Sequence, residues 1–108
     1  MIDDLDRYRY AQRLFEQRRY GQAARELEGL LDGGDVCGTA DARLLLARSY
    51  FHSAQLGRAE QAARALIESD PTDGYAHVLL GRTLERLSRH DEAGQYRRLA
   101  EALGERNW

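Results

Sequence analysis

The side chains able to do chemistry are few and scattered. All 16 basic residues are arginine, so the chain has no lysine for a Schiff base, a phosphate loop or an ATP-pairing role. Histidine occurs at His52, His77 and His90, with no His-Glu-x-x-His or comparable ligand spacing. The single Cys37 excludes an internal disulfide and a cysteine-rich metal cage, and it suits a reducing compartment. Beside Gly38 and without a cationic neighbour in sequence, it reads as an inert loop thiol rather than a reactive one. Ser49, Ser53, Ser69 and Ser88 lie in no Gly-x-Ser-x-Gly turn, and Gly33-Gly34 lacks the rest of a phosphate-cradling motif. The expectation is a protein that is not an enzyme, with no cofactor and no metal.

Charge and hydropathy narrow the partners. The 16 basic and 18 acidic residues are spread evenly and give a formal charge of −2, which removes the electrostatic footprint of a nucleic-acid binder. Met1-Ile2-Asp3-Asp4-Leu5-Asp6 is acidic where a secretion signal would be basic and then apolar. The longest uncharged run, Ser49 to Gly57, is too short to cross a membrane. These features predict a cytoplasmic protein that binds neither nucleic acid nor membrane. Arginine without lysine, together with abundant Ala, Leu and Gly, is the bacterial-like composition of a GC-rich genome.

The elements that carry these residues are organised around Asp70 to Ala93. Asp70-Pro71-Thr72-Asp73 stops one helix and starts the next, because proline has no backbone donor and Thr72 or Asp73 can cap the new helix. His77-x-x-Leu80-Gly81-x-x-Leu84 and then Ala93 follow on a helical period. The same pattern returns as Arg43, Leu46-Ala47, Tyr50, Ala59, Ala63 and Pro71, and as Arg7, Tyr10-Ala11, Leu14, Ala23 and Leu27. Two additional residues sit between the first and second copies, in the run Asp32 to Thr39.

This spacing resembles the tetratricopeptide repeat, a two-helix unit of about 34 residues. No copy carries the family's tryptophan, Asp35 replaces the first closing proline, and Arg97 stands where a Phe is usual. Three copies in tandem predict an all-α fold, an α-α superhelix or solenoid of three tetratricopeptide-like hairpins with about six helices. The chain reads as one domain, 1–108, with repeats at about 4–37, 40–73 and 74–107. Expected helices run from Asp3, Asp4 or Asp6 to Arg18, from Gln22 to Leu31, from a Thr39 cap to Ala54, from Gly57 to Ser69, and from Asp73 to Leu87. The last opens on a capping box at Ser88-Arg89-His90-Asp91 and stops at Gly104. Tyr10, Leu46, Tyr50 and Leu80 are expected in the core, with His77 as the bulky first mark of its repeat.

The resemblance implies a non-catalytic scaffold that receives a peptide or protein segment in a concave groove lined by the first helix of each repeat. Mapped onto this sequence, the groove comprises Tyr8, Gln12 and Phe15, then Arg48, Phe51 and His52, then Tyr75, Arg82 and Arg86. Three arginines among aromatics suit an acidic or carboxylate-bearing ligand, since a guanidinium pairs two carboxylate oxygens at once. The alternative is a solvated stripe in which each arginine pairs with a neighbour such as Glu85, Asp41 or Glu16. Some family members clamp a terminal carboxylate with Lys and Asn; Tyr8 and Gln12 stand in those places here, so chaperone-tail binding is not expected. A second functional reading is a structural module that associates with itself, for instance as a homodimer, through Tyr96, Leu99, Leu103 and Trp108 near the chain's end.

Overall fold

The computed structural model describes residues 3–32 and 39–105. Cys37, the Gly33-Gly34 run and Trp108 lie outside these residues. Six helices account for the described chain: α1 (Asp4–Glu16), α2 (Tyr20–Asp32), α3 (Thr39–His52), α4 (Leu56–Ser69), α5 (Gly74–Arg86) and α6 (His90–Ala102). No strand occurs among the described residues, and none of these helices is long and apolar enough to cross a membrane. The fold divides into two compact units, 1–55 and 56–108.

In the first unit, α2 packs between α1 and α3. Its core is Ala11, Leu27, Leu30, Ala42 and Leu45, with Tyr8, Phe15, Leu31 and Leu46 closing around them. Small residues at Ala11, Ala23, Ala24 and Ala47, all fully buried, let the helix backbones approach closely. In the second unit, α5 packs between α4 and α6 and is buried on nearly every side from Gly74 to Leu84. Leu79, Leu80 and Leu84 of α5 are buried, as are Ala59, Ala63 and Leu66 of α4 and Ala93 and Ala100 of α6, the two helices packed against it. Such helices are marginal alone in water, so this packing is what holds them.

The repeat is written into the backbone. Arg18, Ala54 and Ser88 each adopt the left-handed conformation, with φ of 63°, 62° and 62°, at corresponding places in the three copies. Each closes a helix in the same way, with a long bond from the next amide back to Leu14, Tyr50 or Leu84 at 2.8, 2.8 and 2.9 Å. This double closure satisfies carbonyls that the last turn leaves open. At the end of α6 the same role falls to Gly104, with φ of 96°.

Four expectations need correction. Ser88 does not open a capping box: it is the left-handed residue closing α5, and α6 starts after Arg89, which makes no side-chain cap bond. The first turn of α6 carries Asp91 and Glu92 instead, complementing the positive helix start. Tyr10 is not core. It remains 45% exposed because α1 turns Ala11 and Leu14 inward, leaving the neighbouring face open. α2 begins at Tyr20 rather than Gln22, because the turn is complete at Arg19 and the next residues enter the helix directly. Of the alternatives read for the starts of α1 and α5, Asp3 accepts the Asp6 amide at 2.8 Å and Asp73 that of Ala76 at 3.2 Å, while Thr39, expected as a cap, is the first residue of α3. Thr72 instead donates its hydroxyl to Asp70 at 2.6 Å.

Candidate functional site

In the first unit α1 and α3 place Gln12, Phe15, Glu16, Leu45 and Arg48 around a cleft of about 280 Å³. Gln12, Phe15 and Arg48 are three of the residues that the repeat register marks as groove positions. The Arg48 guanidinium lies over the Phe15 ring, 4.6 Å from its centre, so its charge is set on an aromatic face. Phe15 in turn meets Tyr20 edge-on at 5.0 Å and His52 edge-on at 5.6 Å. His52 stacks on Tyr20 at 4.7 Å and touches Phe51 at 5.4 Å. The result is a continuous run of four rings beside a guanidinium, with His52 exposed and Phe15 and Phe51 half-buried.

Tyr8 sits one turn before Gln12 on α1, half-buried and hydrogen-bonded to it. Burial pushes the Tyr8 phenol up, the nearby Asp41 charge adds to this, and the Gln12 bond partly opposes both. Tyr8 therefore presents a neutral hydroxyl, suited to a polar contact but not to charge pairing.

Two cleft residues, Glu16 and Leu45, are not among the groove positions read from sequence. Tyr20, whose ring meets Phe15 beside the cleft, falls between the helices expected to end at Arg18 and to start at Gln22. The short left-handed closure at Arg18 folds Tyr20 back onto Phe15, so two aromatics flanking a repeat turn were the available signal. Glu16 places a carboxylate in the same cleft as Arg48, giving it one charge of each sign.

In the second unit the remaining groove positions lie along α5, with Tyr75 and Arg82 half-buried and Arg86 exposed. His77 is buried at 4% exposure, and its Nδ1 lies 2.8 Å from the Asp73 carbonyl, which makes it a core residue. Of the residues assigned to self-association, Leu99 and Leu103 are 48% and 40% exposed. Tyr96 is half-buried: its hydroxyl accepts from Arg64 at 3.0 Å and its ring lies 6.1 Å from that of His77. Around it Glu60 and Glu92 each bridge Arg64 and Arg89 at 2.9 to 3.3 Å, tying α4 to the start of α6.

The model of the tetratricopeptide repeat matches the sequence twice, over residues 8–73 and 44–107. No curated protein matches it. Among solved structures, one described as the MamA RS-1 ArsTM double mutant superposes with a TM-score of 0.82 at 24% identity, over 93% of this chain and 55% of that one. At that identity the likeness is one of fold, and this chain spans about half the length of its neighbour.

Proposed function

This chain belongs to the tetratricopeptide repeat family, and on that premise we propose that it is a non-catalytic scaffold that holds a segment of another protein against the first helices of its repeats. The reading takes 1–108 as one three-repeat domain working in the cytoplasm. The observation that carries it is the cleft beside Phe15, where Arg48 rests on an aromatic face and Tyr20, His52 and Phe51 extend the apolar surface. Rigid rings and a pre-placed guanidinium are the side chains from which tight protein contacts draw most of their energy. The segment bound there carries an apolar or aromatic side chain against the rings and a carboxylate toward Arg48. In the second unit, taken by itself, the matching positions Tyr75, Arg82 and Arg86 on α5 are proposed to offer a ring and cationic contacts of the same kind.

A peptide array followed by titration in solution tests this. Phe15→Ala is expected to weaken captured peptides by about 30-fold, the effect of losing a central aromatic contact. Arg48→Ala with Arg82→Ala weakens acidic peptides most, and the loss shrinks as salt rises. Peptides whose affinity is the same for wild type and all three substitutions would place binding elsewhere.

A further inference from the structure

A second surface lies on the opposite flank of α1, outside the groove positions. Asp6, Arg7, Arg9, Tyr10 and Arg13, with Glu26 of α2, line an open hollow of about 590 Å³. Arg13 sits 5.8 Å from the centre of the Tyr10 ring. The repeat register shows what this face corresponds to. Asp6, Arg9, Tyr10 and Arg13 are the counterparts of Ala42, Leu45, Leu46 and Ser49 on α3, and of Ala76, Leu79, Leu80 and Thr83 on α5. On α3 that face packs against Leu27, Leu30 and Leu31 of α2; on α5 the same positions are all buried, and α4 packs beside them. Ser49 and Thr83 even satisfy their hydroxyls internally, on Leu45 and Leu79 at 2.7 and 2.8 Å. On α1 three of the four positions are charged.

A second copy does not fit it. Among the described helices, the one of a second copy that would cover such a face is α6, whose Arg97, Ala100 and Glu101 correspond to Leu27, Leu30 and Leu31. Consecutive helices with short connections run antiparallel, so the end of the covering helix lies by the start of the covered one. In that register Glu101 falls toward Asp6 and the acidic first turn of α1, and Arg97 falls toward Arg9 and Arg13. Like charges meet at both ends of the contact, which rejects the wrong partner.

We propose that the α1 face formed by Asp6, Arg9, Tyr10 and Arg13 docks a helix of another protein that carries carboxylates in its middle turn, a small residue over Tyr10 and a basic residue near its end. The chain's own α6 can be given this chemistry. Arg97→Glu with Glu101→Arg reverses the exposed α6 pair, now 3.5 Å apart, and keeps it at the same spacing with the acidic residue first, the better order in a helix. By sedimentation and light scattering across a dilution series, this double variant is expected to self-associate at least tenfold more strongly than wild type, and less as salt rises. Adding Arg9→Glu and Arg13→Glu to it should abolish the gain, and Arg9→Ala with Arg13→Ala should reduce it. Circular dichroism confirms that each variant stays helical. A double variant no more associated than wild type would overturn the proposal. So would a gain that survives the α1 substitutions, or wild-type association that Arg13→Glu weakens.

Discussion

Replacing Ala54 by glycine should make the protein more stable, although it deletes a methyl group and adds backbone freedom. Ala54 holds φ at 62°, where an L side chain crowds the following carbonyl at a cost of roughly 1–2 kcal/mol. Glycine removes that cost and gives back roughly 0.4–1 kcal/mol through its freer unfolded chain. The net gain is about 0.5–1 kcal/mol, since Ala54 is exposed and loses no packing. Arg18 and Ser88 are also exposed and hold the same conformation, so the triple variant should gain about 2 kcal/mol if the sites act independently. For a domain of this size that raises Tm by about 8 °C or more. Thermal and urea unfolding, followed by circular dichroism, provide the measurement. Ala65→Gly is the control: at an exposed site inside α4 the same replacement should cost about 1 kcal/mol. If Ala54→Gly destabilises like Ala65→Gly, the turn stores no strain and the argument fails.

Other outcomes follow from burial and charge. Leu80→Ala should cost about 2–5 kcal/mol, because Leu80 is fully buried, while Tyr10→Ala at the matching place in the first copy should cost less than about 1 kcal/mol. Equal shifts in the denaturant midpoint would mean that Tyr10 is packed after all. Burial by itself would raise the Glu60 carboxyl, but hydrogen bonds and charge from Arg64 and Arg89 outweigh it and hold the group below its usual 4.5. Its folded value is thus depressed, so the stability it adds is present above the ordinary carboxylate range and is lost as pH falls through the folded value. Glu60→Gln should therefore lower the urea midpoint at neutral pH and converge with wild type in acid, once pH has fallen below the depressed folded value. A gap that persists in acid would assign the loss to packing.

How much of this was legible in sequence depends on which partner each residue has. Leu80, Ala47, Ala59 and Ala93 were placed by period alone, since helical spacing fixes which residues share a face and small residues at fixed offsets fix close approach. The starts of α1 and α5 were readable to within a few residues, as Asp3, Asp4 or Asp6 and as Thr72 or Asp73, because short polar residues before an apolar run have a local backbone target; packing decides that Asp3 and Asp73 take it. Tyr10 was misplaced by the same rule that placed Leu80. The period names a face but not whether another helix covers it, and on α1 Asp6, Arg9 and Arg13 carry charge at the places where α3 and α5 have apolar or small residues. Ser88 failed for a related reason: the Ser-x-x-Asp spacing is common to a capping box and to a turn whose residue lies in the left-handed region. The position matching Arg18 and Ala54, neither of them a capping residue, was the evidence that decides between the two. The Phe15 cleft is where local reading runs out most clearly. Its rings come from α1, from the start of α2 and from α3, and only packing sets Arg48 on Phe15 and His52 on Tyr20. A repeat pattern reports what each copy shares, whereas recognition is built from what differs between copies, so the differing positions Phe15, Tyr20 and Arg48 are where a binding surface has to be sought.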